Sequence, residues 1–366
     1  MSDLSSPTVR RAPTWAASLP EALQTPCFVV HERGVVDNLH ASARACGGVA
    51  RLMPHVKTHR AAWVVERLLR EGVTAFKAAT VAEVAMVLGA GAKHVLWAYP
   101  TVNGAHLRAL LSLASDYPQA RVQALVDSAA GVAAWRNATG GKPPRNLSLV
   151  VDLDAGMGRT GAPIEPATLA LARDLATLGC FGGWHAYDGH VHDLDREARR
   201  ARVAATAQKV ATLTRAGAAE GLSTTLVAGG SYTFDLWPAD LADFVSPGSW
   251  TYSSDQHDRE LSGHQWTPSA YVLATVISRN ATTATLDAGA KAISPDKPLA
   301  QRFRWDGNIV MMSEEHVVVE NTDLAIGDRV MLLPRHACTT AYLYSNAVVL
   351  TEGGAWEVRE QLGNRR

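Results

Sequence analysis

The chain predicts an α/β protein, a (β/α)8 TIM-type barrel followed by a C-terminal β-domain, and three observations carry that expectation. Eight short apolar runs alternate with stretches of helical spacing from about Ala50 to Ser246. Several of the helical stretches close on a glycine where a C-cap belongs, at Gly72, Gly91 and Gly179. After about Ser249 the helical period disappears, and β-branched runs bounded by turn residues replace it.

In chain order, an apolar run at 26–30 leads into a helical stretch to about Ala45. The runs expected as barrel strands are 50–56, 75–79, 94–98, 122–126, 147–153, 180–186, 225–228 and 244–246. Helical spacing lies between them, for example over 61–69, 84–88, 107–113 and 169–178. The β-domain runs are 271–277, 283–286, 308–312, 329–333 and 347–350. The expected domains are residues 1–30 as an N-terminal tail and strand, 31–260 as the barrel and 261–366 as the β-domain.

The composition excludes several classes of function. With 47% hydrophobic and 19% charged residues the chain has an ordinary globular core. A formal net charge of zero gives no attraction to nucleic acid or an anionic membrane, and no basic stretch carries interleaved aromatics. Apolar runs such as 95–99 are far too short to span a bilayer. Residues 1–16 are polar and lack the apolar core of a signal peptide, so a cytoplasmic protein is expected. Cys27, Cys46, Cys180 and Cys338 form no CxxC pair, and the first three sit in apolar surroundings as small buried hydrophobes.

In a barrel, working residues lie at the C-terminal strand ends, and here titratable groups crowd that end. The first run closes on His55, Lys57 and His59, the fifth on Asp152 and Asp154 ahead of Gly156, Gly158, Arg159 and Gly161. The sixth runs into His185, Tyr187, Asp188, His190 and His192. Gly229-Gly230-Ser231 closes the seventh, and Gly248-Ser249 follows the eighth. A strand-end lysine snorkelling to solvent is the plainer reading of Lys57 alone. Opposite glycine loops of the kind that bind phosphate, it reads as an amine desolvated for imine formation.

His336 and Cys338, two residues apart in an extended chain, project to one side and suit an open metal site, although an isolated HxC is more often structural. His190 and His192 share a side in the same way, as a metal pair, as general bases or as plain loop groups. Asp152 and Asp154 suit either a carboxylate pair or a cap for the loop that follows.

The run Pro54-His55-Val56-Lys57-Thr58-His59 resembles the PHVKTH signature of fold-type III pyridoxal 5′-phosphate (PLP) enzymes that include D-threonine aldolase and D-serine dehydratase. The resemblance continues through Thr25-Pro26, Asp154 to Gly161, Ala186 to Gly189, the two glycine-serine loops, Asp287-Ala288-Gly289, Glu315-His316 and Pro334 to Cys338. It implies that Lys57 holds PLP as a Schiff base, with His55, Arg159 and Tyr187 among the cofactor contacts. Gly229, Gly230, Ser231, Gly248 and Ser249 would hold the phosphate. His336 and Cys338 would bind a divalent metal, zinc more readily than manganese or magnesium because of the thiolate.

The resemblance also implies a D-amino-acid substrate, a homodimer, and an N-terminal strand that joins the β-domain. Removal of the Cα proton by Lys57 leads to dehydration, giving an oxo acid and ammonia. Removal of the hydroxyl proton by a base such as His190 or His192 leads to retro-aldol cleavage, giving glycine and an aldehyde. Histidine with cysteine at the metal resembles the dehydratases, and the expectation leans that way. A racemase that needs no metal, a non-catalytic PLP-binding protein and a metal-dependent barrel hydrolase are the rivals.

Overall fold

The computed structural model describes residues 9–320 and 323–366; residues 1–8 of the N-terminal stretch lie outside them. The chain divides into a β-unit, Met1–Ala41 with Thr58–Ala61 and Ser249–Arg365, and an α/β unit, mainly Ser42–Lys57 and Ala62–Gly248. Strands β1 (Val9–Arg10) and β2 (Cys27–His31) come first, and helix α1 (Glu32–Cys46) follows.

In the α/β unit, α2 (Ala62–Arg70), β3 (Phe76–Ala78), α3 (Val81–Gly89), β4 (His94–Trp97), α4 (Gly104–Asp116) and β5 (Arg121–Val126) alternate. The series goes on with α5 (Ala129–Ala138), β6 (Leu147–Leu153), α6 (Leu169–Thr177), β7 (Phe181–Ala186), α7 (Arg196–Ala219), β8 (Leu226–Ala228) and β9 (Phe244–Val245). The seven strands β3 to β9 pair in chain order in one parallel sheet. Parallel strands are covered on both faces, hence the unbroken apolar runs, and β3 and β8 are buried throughout. Thr80, Asn103, Ser128 and Asp195 start α3, α4, α5 and α7, each side chain accepting a backbone N–H of the first turn. Met53, Ala75, Leu96, Leu125, Val150 and Val227 pack into one buried cluster, a filled interior.

The first of the eight expected strands, over 50–56, does not form. Short 3₁₀ turns at Val49–Arg51 and Val56–Thr58 bracket it, and Pro54 between them has no N–H for a ladder. The segment is still fastened at both sheet edges by single bridges, Leu52 to Val245 of β9 and His55 to Lys77 of β3. Lys57 therefore stands on a 3₁₀ turn, not on a strand end.

The β-unit carries α8 (Asp255–Glu260), β10 (Ala270–Arg279), β11 (Thr283–Leu286), β12 (Ile309–Met312), β13 (Val317–Glu320), β14 (Arg329–Leu332), α9 (Ala337–Ala341), β15 (Asn346–Leu350) and β16 (Trp356–Glu360). Its nine-stranded sheet runs β12-β13-β11-β10-β2-β15-β16, with β14 pairing β10 and β1. The N-terminal strand β2 thus lies inside this sheet, antiparallel to β10 and parallel to β15. Strands β13 and β16 were not among the expected runs.

Around α8 a single carboxylate gathers three guanidinium groups. Asp255, 3% exposed, accepts from Arg259 and Arg304 at 2.8 and 2.6 Å and from Arg335 at 3.1 Å. Burial opposes its charge, but these arginines hold the carboxyl below its ordinary value. A depressed carboxyl stabilises the fold above its unfolded value near 4, and that contribution disappears as pH falls through the lower folded value. Asp255→Asn is expected to lower stability by about 2–4 kcal/mol at pH 7 and by less at pH 3. Urea midpoints at the two pH values check this.

Candidate active site

One cavity in the α/β unit gathers most of the titratable strand-end groups. Lys57 lines it from the 3₁₀ turn, exposed to solvent, with Nζ 5.8 Å from the centre of the Tyr187 ring. Among the described residues its amine makes no hydrogen bond. Its backbone N–H approaches His55 Nδ1 at 3.4 Å. Burial, then the charges of Lys57 and Lys77, push the His55 imidazolium well below the ordinary value, so this ring is neutral.

The loop after β6 brings Arg159, whose Cζ lies 5.3 Å from the Tyr187 ring centre. Asp154 fixes that loop by accepting the N–H groups of Gly156 and Gly158 at 2.9 and 3.0 Å. Of the two expectations for the Asp152/Asp154 pair, Asp154 is the loop cap. Asp152 turns inward instead and accepts from His185 Nδ1 at 2.6 Å and from Thr160 at 2.9 Å.

Lys77 on β3 completes a buried line: its Nζ lies 2.7 Å from His185 Nε2 and 3.0 Å from Ser246 Oγ. Burial first, then the nearby Lys57, lower Lys77 to about 7. Burial and Lys77 likewise lower His185. Against its own burial, His185 and Thr160 hold Asp152 below the ordinary carboxyl value.

Lys77 was missed by sequence reasoning, and His185 was placed at the working end but given no role. Lys77 sits mid-run in an apolar strand and His185 just before a resembling motif. A charged residue inside a run buried on both faces was the available signal.

The glycine loop after β8 is shaped from below. Asp188, 1% exposed, accepts from the Thr233 hydroxyl at 2.6 Å and the Trp237 indole at 2.9 Å. Thr233 in turn accepts the Gly230 N–H at 3.0 Å, and the Gly229 N–H goes to the Ala186 carbonyl at 3.1 Å. Gly229 has φ +75, and a Cβ on Gly230 would stand 2.9 Å from Tyr187 Cε2. Glycine there lets the backbone approach the tyrosine ring. Gly248 N–H reaches Ser231 Oγ at 3.4 Å, joining the two loops expected to bind phosphate. Ser249 belongs to the β-unit.

His190 and His192 do not line this cavity. His190 Nδ1 is buried without a partner among the described residues, and its Nε2 lies 3.2 Å from where a Gly156 Cβ would be. His192 is exposed, with its ring centre 6.4 Å from that of Tyr232.

In the β-unit, His336 immediately precedes α9 and Cys338 lies in its first turn, so the extended geometry assumed for the pair is not what brings them together. Their side chains nevertheless interact, and Asp296 Oδ2 holds His336 Nδ1 at 2.5 Å. Cys338 Sγ also reaches the Thr58 hydroxyl at 3.2 Å and Ser249 Oγ at 3.9 Å. Burial opposes the imidazolium, yet Cys338 and Asp296 bring it up to about 9. Among the described residues no group of three or more His, Cys, Asp or Glu is arranged around a metal position. The pair fits as two ligands of an open site, with the Nδ1 partner that leaves Nε2 to a metal. The other cysteines are inert: burial pushes Cys27 and Cys180 up to about 11, and raises Cys46.

A lysine-bearing cavity in an α/β unit, with a β-sheet unit in the same chain, agrees with the alanine-racemase-like class that the family profiles and fold neighbours show. A family profile described as "Alanine racemase, N-terminal domain" matches residues 30–256, and one described as "Putative serine dehydratase domain" matches 269–350. The chain belongs to the fold-type III, alanine-racemase-like family of D-threonine aldolases and D-serine dehydratases, and as a member it is a PLP-dependent lyase. Among curated proteins it is 27% identical to a 3-hydroxy-D-aspartate aldolase of Paracoccus denitrificans (strain Pd 1222), over 90% of this chain and 89% of that one. It is also 27% identical to a D-threonine aldolase of Arthrobacter sp, over 92% of each chain. Among solved structures, a D-threonine aldolase from Filomicrobium marinum superposes with TM-score 0.82 at 23% identity, over 92% of this chain and 95% of that one. A D-threo-3-hydroxyaspartate dehydratase from Delftia sp. HT23 gives 0.81 at 22%, over 93% and 98%. At such identities the structures speak for the fold. No helix among the described residues is long and apolar enough to cross a membrane.

Proposed function

We propose that the protein is a PLP- and divalent-metal-dependent lyase that dehydrates D-3-hydroxy amino acids such as D-serine or D-3-hydroxyaspartate to a 2-oxo acid and ammonia. The observation that carries this reading is Lys57, an amine without a hydrogen-bond partner among the described residues, in a cavity beside Tyr187 and Arg159. PLP, when bound, supplies an electron sink for charge released at Cα, and a divalent metal supplies a Lewis acid for the β-oxygen. Lys57 holds the cofactor and takes the Cα proton. Tyr187 flanks the ring, Arg159 orients ring or substrate carboxylate, and the loops at Gly229 to Ser231 and Gly248-Ser249 take the phosphate. His336 and Cys338 hold the metal, zinc by the softness of the thiolate.

Dehydration rather than retro-aldol cleavage is supported by two features. The metal pair includes a thiol, and His190 and His192, the expected bases for the hydroxyl proton, are not in the Lys57 cavity. Retro-aldol cleavage to glycine and an aldehyde is the second reading, favoured by the curated relatives named as aldolases. The reading extends to a cytoplasmic homodimer.

Product analysis with D-serine, D-threonine and 3-hydroxy-D-aspartate separates the two. Oxo acid and ammonia in equal amounts, lost with EDTA, are expected. Glycine with an aldehyde in their place makes the enzyme an aldolase, and turnover to the L-isomer without metal makes it a racemase.

A further inference from the structure

Lys77 has no place in the reaction as just assigned, yet it is the most unusual group in the cavity. It is 3% exposed, and among the described residues no carboxylate pairs with its amine. A buried lysine held only by neutral acceptors weakens a fold, and an apolar side chain fills such a place at lower free energy. Its presence in a buried place beside Lys57 points to chemistry.

The hydrogen bonds around it define its proton inventory. Asp152 accepts from His185 Nδ1–H, so neutral His185 offers a lone pair at Nε2, and Lys77 donates to it over 2.7 Å. The Ser246 hydroxyl donates to the Gly229 carbonyl at 3.1 Å, so its oxygen accepts the second Lys77 N–H at 3.0 Å. With Cε these occupy three of the four positions around nitrogen. The fourth holds a third N–H in the ammonium form and a lone pair in the amine form, and Lys77 lines the same cavity as Lys57.

We propose that Lys77 is a second acid–base residue of the Lys57 cavity, fixed by the line Thr160–Asp152–His185 and by Ser246 so that it exchanges a proton with the cofactor–substrate pair bound there. This rests on the reading of the cavity as a PLP site. The charges facing Lys77 are Lys57 from the 3₁₀ turn, Asp152 from β6, Arg159 from the loop after it and Asp188 beyond β7; neutral His55 and His185 lie beside it. Burial, Lys57 and Arg159 favour the amine, and Asp152 and Asp188 oppose them, so the group changes form near neutral pH. Its Nζ is 5.3 Å from the Tyr187 ring centre, close to the 5.8 Å of Lys57.

The test compares the PLP-loaded wild type with Lys77→Met and Lys77→Gln, the latter keeping a donor for His185. Two pH titrations are read: the visible cofactor band and kcat/KM. The wild type is expected to show a step near pH 7 in both. Both variants should retain a borohydride-reducible band, lose that step and lose roughly 10²–10⁴-fold in kcat, the range of a positioned acid–base group. If either folded variant keeps the step with kcat within about twofold of wild type, Lys77 is only structural and the inference fails. If the wild type itself gains no band with PLP, the proposed function fails and takes this inference with it.

Discussion

Lys57→Ala is expected to abolish lyase turnover, with a loss of roughly 10³-fold or more, and to remove the borohydride-reducible visible band. Two proposed roles meet on one atom: Lys57 would carry the cofactor covalently and move the Cα proton, and among the described residues no neighbouring amine has both the exposure and the freedom to replace it. Lys77 is buried and held by two acceptors. Lys57→Arg keeps the charge but cannot form the linkage, so it should be as inactive as the alanine variant. Because Lys57 is exposed, either change should move stability by no more than about 0.5 kcal/mol. A small primary amine added to Lys57→Ala should restore part of the activity. Turnover in the alanine variant at more than about a tenth of the wild-type rate contradicts the assignment.

The next largest effect is expected at the metal pair. His336→Ala or Cys338→Ala should lower turnover on D-3-hydroxy amino acids by about 10²-fold or more while leaving the cofactor band in place. Both should also abolish stoichiometric zinc, read by elemental analysis after dialysis. The outer carboxylate sets a smaller companion effect. Asp296 holds His336 Nδ1, so Asp296→Asn should weaken zinc binding by about 10–100-fold without removing the site. A His336→Ala enzyme with full activity and no bound metal would return the racemase reading to the front.

What was legible in the sequence followed physical signals of differing strength. The strands β3 to β9 were readable because parallel strands buried on both faces write themselves as apolar runs. The expected first strand was also an apolar run, but apolarity reports burial and not ladder formation, and Pro54 decides against the strand. Strand β16 was missed because a sheet-edge strand with mostly exposed residues, Trp356 to Glu360, has no hydrophobic pattern to read.

At the site, Lys57, Tyr187 and Arg159 were legible as candidates because they stand in short motifs after apolar runs, and all three line one cavity. The Lys77–His185–Asp152 line was not, because its members come from three strands far apart in the chain: register sets Asp152 beside His185, but Lys77 meets them from β3, which pairs with neither β6 nor β7. His190 and His192 show the converse. Alternation placed them on one side of an extended segment, but the chain turns at 189–190 and one ring is half-buried while the other is exposed.

The most direct measurement is borohydride reduction of the PLP-loaded protein followed by proteolysis and mass mapping of the pyridoxyl group. Two lysines line the cavity, so the result distinguishes them. A single modified residue, Lys57, is expected at close to one group per chain. Modification at Lys77, or no fixed pyridoxyl group in a protein that has been given PLP, would contradict it.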